Sequence, residues 1–78
     1  MFGKRLNTTR KFRGLTAQYM ADSLQIALRS YRMYESSDRY PSLEMLVQIA
    51  DILNVPTDFL LCRDSYLQSL GVFVDVPL

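Results

Sequence analysis

Seventy-eight residues suffice for one domain and lie close to the size at which a single core barely holds without staples. With 49% hydrophobic against 22% charged residues general disorder is excluded, and no apolar run has the length of a membrane span or a signal-peptide core. The lone Cys62 and the lack of histidine exclude an internal disulfide and a zinc set; a reduced, cytoplasmic setting with no metal and no cofactor is expected.

The net charge of +1 conceals a split: up to Tyr40 eight bases stand against three acids, and from Pro41 onward Arg63 alone stands against five. A basic half joined to an acidic half suggests one face for a polyanion and another turned away from it. Ordinary solvated surface would give the same counts.

In chain order, helix one is expected from about Gly3 to Arg13, stopped by Gly14. Thr16 is a natural N-cap for a short helix through Leu24. A turn at Gln25 and Ile26 leads into a third helix, Ala27 to Ser36. Ser36, Ser37 and Asp38 begin a polar loop that ends at Pro41. Ser42 caps a fourth helix to Leu53, where Asn54 can take the left-handed position after the helix. Pro56 fits the first turn of a fifth helix carrying Phe59, Leu60 and Leu61. Asp64 can cap a last short helix through Leu70, stopped by Gly71. Val72 to Val76 alternates at period two and reads as a strand.

Three segments carry most of the meaning. In the second helix Met20, Ala21 and Leu24 form one apolar face, and Ala21 is small where another helix must cross. Ile26 plugs the turn, and Tyr31 and Tyr34 face inward from the third helix; two helices so joined form a helix-turn-helix. At 100° per residue the third helix places Leu28, Arg29, Arg32, Met33 and Ser36 on one face. Ala27, Tyr31, Tyr34 and Glu35 fall on the other, with Ser30 on the border. The fourth helix reads as a core stripe of Leu43, Leu46, Val47, Ala50 and Leu53, with a second apolar stripe of Met45, Ile49 and Ile52.

Leu15, Thr16, Met20, Ala21, Ile26, Tyr34, Glu35, Pro41, Ser42 and Leu43 stand in one ungapped register. In that register the chain resembles the phage-repressor/Cro-type helix-turn-helix family, the xenobiotic-response-element type of bacterial regulator, over about Leu6 to Leu61. It departs from the family at Gln25 and Ser37, where glycines are usual. It departs again at Ala17 for a glutamine and at Ala27 for a serine cap.

The resemblance implies an all-α, five-helix lambda-repressor-like DNA-binding domain over residues 1–62. Residues 63–78 follow as a C-terminal helix and extended arm for dimerisation. It implies a sequence-specific regulator of transcription, a repressor, binding double-stranded DNA, with base contacts at Leu28, Arg29 and Met33 and with Arg32 close by. Arginine bonds guanine in a bidentate manner, and an apolar tip packs on a thymine methyl. Phosphate contacts are expected from Gln18, Ser30, Ser37, Arg39 and Tyr40; Lys4, Arg5 and Lys11 read equally well as solvated helix surface. Arg10 and Glu35 are expected to form a structural ion pair, as the family commonly has.

The second stripe of the fourth helix is covered either by the last helix and tail or by another subunit. The unpaired strand is either a frayed end or a dimer element, and a homodimer through the arm and the fourth helix is expected. With no ligand-sensing domain in the chain, no small-molecule ligand is expected. An antitoxin, or a protein-interaction module that has lost DNA binding, are the alternatives. No clustered nucleophile and base points to an enzyme.

Overall fold

The computed structural model describes residues 1–77; Leu78, the last residue of the expected arm, lies outside the described residues. Six helices follow one another: α1 (Phe2–Phe12), α2 (Ala17–Leu24), α3 (Leu28–Glu35), α4 (Leu43–Leu53), α5 (Thr57–Leu60) and α6 (Asp64–Ser69). Among the described residues there is no strand, and no helix is long and apolar enough to cross a membrane.

The helix starts follow from side chains that accept from orphan amides. Thr16 accepts from the Tyr19 amide at 3.0 Å and Ser42 from the Met45 amide at 3.2 Å. Ala27 takes the cap position of α3 and has no side-chain acceptor to offer. Asp64 is the first residue of α6 rather than its cap, and Arg63 takes the cap position without a capping bond.

The helix ends share one device. After each helix a residue in the left-handed region turns the chain: Gly14, Gln25, Ser37, Asn54, Cys62 and Gly71. The amide of the next residue then reaches back to a carbonyl in the last turn, as from Leu15 to Arg10, Ile26 to Ala21, Asp38 to Met33 and Val55 to Ala50. This satisfies carbonyls that the helix leaves free. Four of the six turn residues carry a Cβ in a region that favours glycine.

The core is built by Leu6 of α1, Met20, Ala21 and Leu24 of α2, and Tyr31 and Tyr34 of α3. Leu46, Ile49, Ala50 and Leu53 of α4 close it from below, with Phe59, Leu60 and Leu67 from the last two helices. α4 is therefore rotated from the sequence reading. Ile49 is fully buried, while Leu43 and Val47 are 82% and 50% exposed. Met45 and Ile52 are half-buried against the core. The buried face keeps Leu46, Ala50 and Leu53 of the expected core stripe and takes Ile49 from the second one, at the i, i+3, i+4, i+7 spacing of a single buried stripe.

The expected strand is also corrected. Residues 72–76 form no strand and fold back on their own domain: Val76 is buried in the core and Val74 is packed against it. Arg13 fastens this segment. Its guanidinium donates to the carbonyls of Leu53 (2.8 Å) and Asn54 (3.2 Å) and to both carboxylate oxygens of Asp75 (2.6 and 2.8 Å). Phe73, between Gly71 and Val74 in the chain, is 87% exposed.

Candidate nucleic-acid interface

α3 is held by its inward face and leaves the other free. Tyr31 is fully buried and Tyr34 nearly so, and the two rings meet edge to face at 6.4 Å. Ala27, read as inward, is exposed at the cap position.

At the C-terminal end of α3, Glu35 is enclosed by donors. Arg10 approaches with Nε at 2.6 Å and Nη2 at 3.2 Å, Asn7 donates at 2.7 Å, and the Tyr31 hydroxyl donates to the same carboxylate. Burial by itself pushes the Glu35 carboxyl up; the bonds from Arg10, Tyr31 and Asn7 outweigh it and hold the group below its ordinary value. Burial and the Glu35 bond push the Tyr31 hydroxyl up, so it remains a donor. Arg10 also donates to the Leu15 carbonyl at 2.9 Å, tying α1 to the start of the helix-turn-helix.

Gly3 lets α1 approach the same end of α3: a Cβ there would stand 2.4 Å from the Glu35 carbonyl oxygen. Its amide donates to the Ser37 hydroxyl at 3.2 Å. The Ser37 oxygen is thereby occupied as an acceptor, and its proton stays available.

The outward face of α3 forms an open concavity of about 480 Å³ lined by Leu28, Arg29, Arg32, Met33, Ser36 and Asp38. The four residues expected at bases thus lie together. Arg29 and Arg32 are exposed, with Leu28 and Met33 half-buried beside them. Among the described residues neither arginine has a carboxylate partner.

Of the residues expected at phosphates, Ser37, Arg39 and Tyr40 stand exposed on the loop after α3, with the Tyr40 ring 6.0 Å from that of Phe2. Ser30 is half-buried on the border of the face. Gln18 is exposed on α2, where its amide donates to Asp22 at 2.8 Å. Arg5 is withdrawn from any such role. It pairs with Asp64 at 2.8 and 3.1 Å, donates to the Phe59 carbonyl and lies over the Phe59 ring. Asp38, one of the polar loop residues in the sequence pattern, is turned back toward Met33 by the left-handed Ser37.

α2 and α3, joined through the left-handed Gln25 and packed through Met20, Ala21, Leu24, Tyr31 and Tyr34, form a helix-turn-helix domain. The chain belongs to that family, whose model, described as "Helix-turn-helix domain", matches residues 3–63. Among relatives, a SPbeta prophage-derived uncharacterized HTH-type transcriptional regulator of Bacillus subtilis, YonR, is 44% identical over 61 residues, covering 78% of this chain and 56% of its own. The HTH-type transcriptional regulator AnsR of the same organism is 43% identical over 65 residues, 83% and 56% of the two chains. The cryptic phage CTXphi transcriptional repressor RstR of Vibrio cholerae is 43% identical over 60 residues, 77% and 54%. The chain spans about half the length of these relatives. In fold it is similar to a transcriptional regulator from Listeria innocua, with a TM-score of 0.71 at 24% identity over 96% of this chain and 79% of that one.

Proposed function

We propose that this chain is the DNA-binding part of a transcriptional regulator, a repressor, that places α3 in the major groove. The observation that carries the reading is the concavity of α3, where Arg29 and Arg32 stand between Leu28 and Met33 and, among the described residues, form no ion pair. Two guanidinium groups between two apolar side chains suit guanine edges and thymine methyls. In this reading Ser30, Ser37, Arg39 and Tyr40 hold the backbone on either side, and Gln18 joins them when its amide turns from Asp22 to a phosphate. The relatives, named as regulators and a phage repressor, support the same assignment. The chain works as a binding module in the cytoplasm and not as an enzyme. Residues 1–62 carry the DNA-reading elements; beyond them Leu67 and Val76 complete the domain's core, and the exposed part of that segment serves assembly.

A homodimer is part of this reading, since two copies on a two-fold axis set two reading helices about 34 Å apart, one turn of duplex. The apolar surface open to a second copy is not the face of α4 first expected. It comprises Leu70, Val72 and Phe73 of the last helix and arm, which are 58%, 39% and 87% exposed.

Enrichment of binders from a random-sequence duplex library tests the proposal. A single palindromic site retained at moderate salt is the expected result. Recovery of unselected sequences, with no more retention than for bulk DNA, would overturn it.

A further inference from the structure

Resting on the DNA-binding reading, we propose that Asp38 is a specificity-determining residue that accepts a hydrogen bond from the N4 amino group of a cytosine. Asp38 shares one concavity with Leu28, Arg29, Arg32 and Met33. Its position is fixed twice. The backbone amide donates to the Met33 carbonyl at 3.0 Å across the left-handed Ser37. The Ser36 hydroxyl, near the Met33 carbonyl at 3.1 Å, points to Asp38 Oδ2 at 2.8 Å. Among the described residues no donor reaches Oδ1, and none of Arg29, Arg32 or Arg39 pairs with the carboxylate.

An exposed carboxylate is thus aimed into a groove that otherwise presents cations and apolar tips. Phosphate repels it, so a favourable contact requires a donor on a base edge. In the major groove guanine N7 and O6 and thymine O4 are acceptors only. Adenine sets its N6 donor beside the N7 acceptor, which faces a carboxylate unfavourably. Cytosine offers the N4 donor alone. A fixed, acceptor-only group therefore favours cytosine and penalises the other three bases, a complement to arginines that favour guanine.

The test compares the wild type with Asp38→Ala and Asp38→Asn in parallel enrichments from the same random duplex library at one salt concentration. The wild type is expected to prefer cytosine at one position by roughly five- to tenfold. Asp38→Ala is expected to lose that preference, and to bind random duplex more tightly because a repelling charge is gone. Asp38→Asn, which keeps the shape and gains an amide donor, is expected to move the preference to adenine. The same cytosine preference in either variant would overturn the inference. So would a uniform tightening by Asp38→Ala with the site unchanged, which would make Asp38 a repeller of phosphate alone. If the wild type enriches no site at all, the DNA-binding reading falls along with this one; if it enriches a site that both variants share, only the role of Asp38 falls.

Discussion

Arg10 of α1 holds Glu35 at the end of α3 through Nε at 2.6 Å and Nη2 at 3.2 Å, while Nη1 donates to the Leu15 carbonyl. One guanidinium thereby joins the first helix, the entry to the second and the reading helix. Both side chains are nearly withdrawn from solvent, at 12% and 11% exposure. Removing one partner leaves a charge with no compensation, which is more costly than never having built the pair. Glu35→Ala should lower stability by about 3 kcal/mol, read from urea unfolding.

The same carboxyl predicts a pH dependence. Its folded-state value lies below the ordinary value of 4.5. Its contribution is therefore fully present above that ordinary value and is lost as pH falls through the lower folded one. The stability gap between wild type and Glu35→Ala should be constant near neutrality and narrow only in acid. A gap that widened as pH fell would contradict the network described around Glu35.

Gln25 turns the chain between α2 and α3 with φ 58°. Its side chain is exposed there, so replacement removes left-handed strain without opening the core. That strain is about 1–2 kcal/mol for a residue with a Cβ, partly offset by the greater freedom glycine has when unfolded, about 0.4–1 kcal/mol. Gln25→Gly should raise stability by roughly 0.5–1 kcal/mol. A lower melting temperature would show that the Gln25 side chain contributes more than its backbone costs.

This turn belongs to the part of the fold that local pattern makes legible. Thr16, Ser42, Gly14 and Asn54 cap or stop their helices through bonds a few residues long, and the two faces of α3 follow from the helical repeat alone. Four features were not legible in the same way. α4 has apolar residues at most positions, so periodicity could not choose between Val47 and Ile49 as the inward side. The alternation of Val72, Val74 and Val76 shows a two-sided segment but not what covers it. The pairs Arg13–Asp75 and Arg5–Asp64 join residues at opposite ends of the chain, where no spacing rule operates. Asp38 was hidden because its place beside the arginines depends on the fold of the loop after α3, which returns its amide to the Met33 carbonyl, and not on the helical repeat.

The arm offers a separation of folding from assembly. Val76 is 4% exposed and Phe73 is 87% exposed, three residues apart. Val76→Ala removes buried methyl groups and should lower stability by about 1–2 kcal/mol. Phe73→Ser should leave stability within about 0.5 kcal/mol and shift the sedimentation profile toward monomer. Cutting the chain after Gly71 would mix the two effects, because it discards Val76 along with Phe73. A Phe73→Ser protein that sediments as the wild type does would remove the arm from the dimer.

That α3 reads base edges through Arg29 while the loop after it binds phosphate through Arg39 is tested by paired binding measurements of two variants. On the enriched site and on random duplex, across a range of salt, Arg29→Ala should weaken the specific site by about 1–3 kcal/mol and relax one base position. Its binding to random duplex should change much less. Arg39→Ala should weaken both duplexes by a similar factor and make the salt dependence shallower by about one unit of slope. Equal losses on specific and random duplex for Arg29→Ala would contradict the account.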